Sequence, residues 1–269
     1  MNGRDFEQAA VTAEEGIATV TLNRPDRYNA LGSRIVDELG EVLEEIEKSG
    51  VVRVMILTGA GEKAFCSGVD LKERAGMDAD ERWAHNRALN AFAERLARLQ
   101  VPTIVAMNGL AFGGGLEITL ACDFRIAVED ARFALPEVGI GIVPGAGGTQ
   151  RLPRLVGPTR AKELILTGRR ISAETALEMG LVSKVVPRDS LMEEARALAA
   201  EIAANSPLAL AYAKAAVDLA SETSIEQGLR YETAAIRTTL ASEDYRIGLA
   251  AFAEKSTPEF PPLSARRVV

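Results

Sequence analysis

Apolar and β-branched residues gather in short runs, separated by turn formers or by amphipathic stretches. Residues 17–22, Ile-Ala-Thr-Val-Thr-Leu, predict a strand that stops at Asn23-Arg24-Pro25-Asp26. Ser33 stands where a cap would open a helix, and Ile35, Val36, Leu39, Val42, Leu43 and Ile46 follow at helical spacing. Gly50 ends it. Residues 51–58 are Val-rich enough to predict a strand buried on both faces, closed by Gly59-Ala60-Gly61. A second amphipathic helix is predicted over 79–99, striped by Leu89, Phe92, Leu96 and Leu99. Residues 103–107 predict a strand and 114–122 a helix after a Gly-rich turn. Two more short strands are predicted at 124–128 and 181–186.

Strands alternating with helices as far as residue 187 predict an α/β core built from β-α-β crossovers. After Pro187 the pattern changes. Residues 189–254 are Ala-rich and helically spaced throughout, which predicts three or four appended helices. The chain therefore divides into residues 1–187 and residues 188–269. From Thr257, the prolines Pro258, Pro261 and Pro262 predict an irregular tail. No internal repeat or low-complexity segment interrupts the pattern.

With 269 residues and 47% apolar content, the chain can bury a large core, which excludes disorder, collagen and coiled coil as whole-chain readings. Its apolar runs fall far short of the roughly 20 residues that span a bilayer. The opening MNGRDFEQAA holds acids and no apolar stretch, so neither a membrane span nor a secretory signal is expected. The 31 basic and 38 acidic side chains leave a net charge of −7, which opposes broad nucleic-acid binding. The two cysteines, Cys66 and Cys122, are too few for a disulfide framework and fit a reducing cytoplasm. The single histidine, His85, removes multi-histidine metal sites and every Ser-His-Asp triad not built on it. Chemistry falls mainly to carboxylates and backbone.

Glycine concentrates over 59–68, 109–115 and 139–148. Gly61-Glu62-Lys63-Ala64 lacks the Gly-Lys-Ser/Thr ending of a phosphate loop, and Pro144 stands where a dinucleotide fingerprint needs its third glycine. An oxyanion hole is a better use of two of these clusters. Asn108-Gly109-Leu110-Ala111-Phe112-Gly113-Gly114-Gly115-Leu116-Glu117 follows a strand and opens a helix, where free N–H groups favour developing negative charge. Cys66-Ser67-Gly68-Val69-Asp70 is a second loop after a strand, so each loop could donate one N–H to a carbonyl oxygen. Plain turn chemistry and tight packing explain the same glycines equally well.

Glu117 sits among Leu116, Ile118 and Leu120, and Glu137 follows Pro136 in a largely apolar segment. Acids in such settings are candidates for raised pKa values and acid–base work. Structural ion pairing, for example with Arg125 or Arg151, is the alternative. His85 lies on the charged segment Asp80-Glu81-Arg82-Trp83-Ala84-His85-Asn86-Arg87 and is expected at the surface. Cys66 and Cys122 are expected to be inert core thiols, and Ser67 has no base beside it that would make it a nucleophile.

Taken together, the motifs resemble the crotonase (enoyl-CoA hydratase/isomerase) superfamily. The likeness runs through Asn23-Arg24-Pro25, Asn29-Ala30-Leu31, Ala64-Phe65-Cys66-Ser67-Gly68-Val69-Asp70-Leu71-Lys72 and Gly113-Gly114-Gly115-Leu116-Glu117. It continues through Pro136-Glu137, Pro144-Gly145-Ala146-Gly147-Gly148-Thr149-Gln150-Arg151-Leu152 and Phe252-Ala253-Glu254-Lys255, and so covers nearly the whole chain. The resemblance implies a ββα spiral core with a C-terminal helical region for trimer formation, as a homotrimer or a homohexamer built as a dimer of trimers. It also implies an acyl-CoA thioester substrate and no further cofactor, because coenzyme A is part of that substrate.

By matching positions, the N–H groups of Val69 and Gly114 would form the oxyanion hole, and Glu117 and Glu137 would be the two acids of the hydratases. Water would add across the C2=C3 bond of a 2-enoyl-CoA. Glu117 would orient water and take its proton, and Glu137 would help hold that water and supply a proton to C2. Gly145 would leave room near the water. The resemblance further implies that Arg24, Arg27, Ala30, Ser67, Gly68, Asp70, Leu71, Lys72, Phe252 and Lys255 bind the substrate, with Lys255 reaching a neighbouring subunit. The basic members could equally be ordinary surface charge.

The stretch Asp70-Leu71-Lys72-Glu73-Arg74-Ala75-Gly76-Met77 also resembles the branched-chain methylglutaconyl-CoA hydratases, and the acyl end is expected among residues 73–92. An isomerase or other enzyme of the same superfamily is the alternative, and a non-catalytic CoA- or RNA-binding scaffold a third reading. Retention of both acids and the glycine loops argues against the scaffold. The expected setting is cytoplasmic, with no nucleic-acid or membrane partner.

Overall fold

A computed structural model describes residues 6–263. Glu15 and Gly16, both at positive φ, close a hairpin between β1 (Ala9–Glu14) and β2 (Ile17–Leu22), the turn whose twist suits antiparallel strands. A single 3-10 turn at Pro25–Arg27 leads into α1 (Ser33–Ser49). The cap of α1 differs from expectation. Gly32 holds the cap position, Ser33 is the first helical residue, and Glu73 Oε1 accepts from Ser33 N–H at 2.9 Å. The expected stripe from Ile35 to Ile46 is buried in full, each large side chain contributing about 1.5–3 kcal/mol by leaving water.

The chain then alternates between two sheets. β3 (Val54–Gly59) is followed by β4 (Ala64–Cys66) and the helices α2 (Leu71–Ala75) and α3 (Ala79–Ala97). β5 (Thr103–Met107), β6 (Leu110–Phe112) and α4 (Gly114–Thr119) make a second such turn. β7 (Phe124–Val128), β8 (Arg132–Ala134), α5 (Gly148–Val156) and α6 (Pro158–Thr167) make the third. After β9 (Ile171–Ser172), α7 (Ala173–Glu178) and β10 (Lys184–Val186), the six-stranded sheet has the order β1-β2-β3-β5-β7-β10 and the four-stranded sheet β4-β6-β8-β9. This is the expected ββα spiral. β2, β3, β5, β7 and β10 run parallel, so the loops after β3 and β5 emerge at one edge.

Four helices complete the described chain: α8 (Leu191–Ala203), α9 (Pro207–Ala220), α10 (Ile225–Leu240) and α11 (Glu243–Glu254). α8 lies across β2, β3, β5 and β7 and buries Leu191, Ala195 and Ala199 in the core. Lys214 on α9 pairs with Asp123 and donates to the Ala97 carbonyl at 3.2 Å, which fixes α9 beside the starts of β5 and β7. Residues 257–263 form no helix or strand, as the prolines predict. The rest of that tail, and residues 1–5, lie outside the described residues. No described helix is long and apolar enough to cross a membrane.

Candidate active site

β4 delivers the chain into Ser67-Gly68-Val69. Leu31 N–H donates to the Gly68 carbonyl at 2.8 Å, and the Leu31 carbonyl accepts from Asp70 N–H at 3.0 Å. This one-residue parallel bridge turns the N–H of Val69 away from Leu31. Gly114 packs against both Leu31 and Val69. A β-carbon placed on Gly114 would lie 3.6 Å from Val69 Cγ2, and one placed on Gly68 would lie 3.4 Å from Gly114 N. Gly113, at φ 51 and ψ −129, adopts a backbone closed to side chains and swings the chain from β6 into α4. The Gly114 N–H opens that helix and has no helical acceptor. The Gly68-Val69 segment thus lies against the start of α4.

Glu117 and Glu137 lie beside them, both buried. Glu117 Oε1 accepts from the N–H groups of Ala146 and Gly148, each at 2.8 Å. Burial raises its pKa, and those amides together with the Arg151 charge act against the rise. Glu137 has less such help: both carboxylate oxygens are buried without a hydrogen-bond partner, and only the nearby amide of its own backbone acts against the rise. Burial first, then the charge of Glu117, pushes its carboxyl up to about 7. The ion-pair alternative is not what the structure contains. Arg125 is spent on the carbonyls of Leu181, Thr119, Cys122 and Asp123, and Arg151 donates to the Ala146 carbonyl at 3.0 Å. Two buried acids thus lie close enough for the charge of Glu117 to act on Glu137, the first with amide support from a facing loop and the second without it.

A sequence model of the enoyl-CoA hydratase/isomerase family matches residues 12–262. The chain belongs to that family. It is 44% identical over 251 residues to the short-chain-enoyl-CoA hydratase of Clostridium acetobutylicum, covering 93% of this chain and 96% of that relative. It is 42% identical over 244 residues to the mitochondrial enoyl-CoA hydratase of Pongo abelii, covering 91% of this chain and 83% of the relative. The crystal structure of an enoyl-CoA hydratase from Bacillus anthracis superposes with a TM-score of 0.92 at 46% identity, covering 94% of this chain and 99% of that one. The protein is thus an enzyme of the hydratase/isomerase family, and its fold is the family's.

Within this family framework, the residues expected to bind substrate fall into three groups. Arg24, Arg27, Ala30, Ser67, Gly68, Asp70, Leu71 and Lys72 are gathered on two segments, one through the Pro25–Arg27 turn and one running into α2, joined by the Leu31–Val69 bridge and by Ser67 N–H on the Tyr28 carbonyl at 3.0 Å. Arg24 is committed inside this cluster, to Asp70 at 3.1 Å and to the Ala30 carbonyl at 2.6 Å, whereas Arg27 and Lys72 are exposed. Gly145 lies in the loop that holds Glu117. Phe252 and Lys255 are exposed on α11 and at its cap, and the chain beyond them returns to Arg53, just before β3, through the Phe260 carbonyl. That is the opposite end of β3 from the cluster.

Four asparagines, to none of which sequence reasoning gave a role, hold the loops of the candidate site. Asn29 Nδ2 donates to the carbonyls of Ala60 and Ala64 at 3.0 and 2.9 Å, and Asn108 Nδ2 to those of Gly61 and Ala64 at 2.6 and 3.2 Å, so both latch the turn between the sheets. Asn86 and Asn90 hold the Gly145 carbonyl from α3. The four-residue spacing of the second pair is the signal that could have found them. An open groove of about 530 Å³ runs along the same face of α3, lined by Trp83, Asn86, Arg87, Asn90 and Glu94.

His85 corrects an expectation: it is buried, 5% exposed, with Nδ1 3.4 Å from an Arg74 guanidinium nitrogen. Burial and the Arg74 charge hold its pKa below the ordinary value. Cys66 and Cys122 are core thiols as expected, each pushed up to about 12 by burial.

Proposed function

We propose that this enzyme is a 2-enoyl-CoA hydratase. The observation that carries the reading is the split pair, Glu117 held by two amides and Glu137 buried bare. Val69 and Gly114 N–H groups take the thioester oxygen, where charge develops as C3 becomes electrophilic. Glu117, ionised, removes a proton from water as its oxygen bonds to C3. Glu137, protonated, delivers a proton to C2, and the product is a 3-hydroxyacyl-CoA. The step draws on carboxylates and amides, with CoA entering as part of the substrate and no metal or redox cofactor called upon.

Arg27 and Lys72 are exposed basic groups placed to meet the CoA phosphates, with Lys255 supplied by a neighbouring subunit. The short-chain hydratase among the relatives supports a short acyl group over a long aliphatic one. Homotrimers, alone or paired as hexamers, form through the appended helices. In support, Val217, Ile225 and Phe252 are 72%, 84% and 86% exposed there. The setting is cytoplasmic, supported by two buried, unpaired cysteines.

The test follows loss of the conjugated enoyl-thioester absorbance across short, long and branched 2-enoyl-CoAs, with products identified so that isomerisation is separated from hydration. Glu117→Gln and Glu137→Gln should each lower turnover by on the order of 10² or more while folding normally. Near-normal hydration by either variant on the best substrate would overturn the two-acid reading.

A further inference from the structure

Gly145 sits between Glu117 and α3. Its carbonyl accepts from Asn90 Nδ2 at 2.9 Å and from Asn86 Nδ2 at 3.4 Å. One and three residues further on, the amides of Ala146 and Gly148 reach Glu117 Oε1 at 2.8 Å. The fit on the α3 side is close, since a β-carbon on Gly145 would come within 2.7 Å of Asn86 Oδ1. Asn86 and Asn90 are four residues apart on one helix face, so their two donors converge on a single carbonyl with two lone pairs.

We propose that Asn86 and Asn90 are positioning residues for the hydration, holding the Gly145 carbonyl so that the Ala146 and Gly148 amides stay aimed at Glu117. The inference rests on the hydratase reading and deepens it. Residues 144–147 lie outside helix and strand, so the direction of the Ala146 amide, and of the approach to Gly148 at the start of α5, depends on what grips the loop from outside. Two grips are present: the asparagine pair on one side, and Arg151 Nη1 on the Ala146 carbonyl at 3.0 Å on the other. The charged groups facing Glu117 are Arg151, from α5, which favours its ionised form, and Glu137, from the turn after β8. α3 meets the loop with the neutral amides of Asn86 and Asn90. If the amides drift away, the buried carboxylate loses the donors that support its charge, and its proton affinity rises. A displacement on the order of 1 Å in such a group is enough to cost about 10²-fold in turnover.

The test compares wild type, Asn86→Ala/Asn90→Ala and the near-isosteric Asn90→Asp, which sets an acceptor against the Gly145 carbonyl. kcat and KM for 2-butenoyl-CoA are measured from about pH 5 to about pH 9, alongside Glu117→Gln with and without the asparagine changes. Turnover should fall by on the order of tenfold or more in both asparagine variants, with KM within about twofold. The acidic limb of the kcat profile should move to higher pH by about half a unit or more. In the Glu117→Gln background the asparagine changes should add little, since the group they position is gone. An acidic limb left in place, or losses that add in full to Glu117→Gln, would overturn the inference. If Glu117→Gln is inert while the asparagine variants keep the wild-type profile, the positioning role alone fails. If Glu117→Gln itself turns over normally, the hydratase reading fails and takes the inference with it.

Discussion

Glu117 and Glu137 share one site in unlike surroundings: Glu117 Oε1 takes two backbone amides at 2.8 Å, while both oxygens of Glu137 are buried with no partner. Neighbouring buried carboxylates resist joint ionisation, and the amides decide which of the two carries the charge. The loop from Ala146 to Gly148 therefore does more than close the site. It favours the charged form of Glu117 over that of Glu137.

This difference has a thermodynamic signature. Glu137 keeps its proton up to about 7 in the folded chain, against an ordinary value of 4.5. Between those values the folded state binds more protons than the unfolded state, so stability falls as pH rises through that window. Glu137→Gln removes the exchange. The Tm of that variant, relative to wild type, should rise between about pH 5 and about pH 8. A difference that stays constant across the range would mean that Glu137 titrates as an ordinary surface acid.

Glu38 on α1 holds the start of the described chain. Its carboxylate accepts from the amides of Glu7, Gln8 and Ala9 at 3.1, 2.8 and 3.0 Å and from Arg34 Nε at 2.7 Å. Glu38→Ala leaves those donors without an acceptor, at about 1–3 kcal/mol for a buried one, so a total loss on the order of 3 kcal/mol is expected in denaturant unfolding. Hydrogen exchange should localise the change to residues 7–9 and the β1–β2 hairpin. A loss under about 1 kcal/mol would mean that water takes over the carboxylate's task.

Exposed apolar side chains on the appended helices give the assembly a direct test. Val217→Asp and Phe252→Asp replace groups that are 72% and 86% exposed in one chain, so the fold of each chain should survive. Sedimentation should shift toward the monomer, because a charge in an apolar interface is costly to desolvate. Unchanged assembly in both variants would remove these helices from the interface. Loss of activity along with assembly in Val217→Asp, which lies outside the residues expected to bind substrate, would agree with Lys255 being supplied by a neighbour.

Much of this was legible before the structure. The α1 stripe from Ile35 to Ile46 and the runs of β2, β3 and β5 carry enough residues for periodicity to show. β4, β6, β8 and β9 have only two or three residues each, too few for any pattern, and β1 has the mixed sequence AAVTAE. α5 was hidden by Pro153 and by its glycine start. His85 was misread from its charged neighbours, although it stands four residues before Leu89 on the stripe that α3 buries. Glu117 and Glu137 stood out as acids among apolar residues. What could not be read was the partner of Glu117, because the amides of Ala146 and Gly148 reach it across 29 and 31 residues of sequence.

The sharpest prediction concerns backbone rather than side chains. Leu31 occupies the backbone groups on one side of the 68–70 segment, through Gly68 and Asp70, and leaves the Val69 N–H outside that bridge. If that N–H grips the thioester oxygen, Val69→Ala keeps the donor and should stay within about tenfold of wild type. Val69→Pro deletes the donor and should lower turnover by about 10²–10³, the usual cost of one oxyanion donor. Proline also restricts the preceding residue, and Gly68 sits at φ 95, so the variant is compared by Tm and sedimentation before its rate is read. Gly114→Ala serves as the companion. It keeps its N–H but brings a β-carbon within 3.2 Å of Leu89 Cδ2 and 3.6 Å of Val69 Cγ2, so it tests crowding with the donor present. Equal losses in Val69→Ala and Val69→Pro, with normal melting, would assign Val69 a packing role and end the oxyanion assignment.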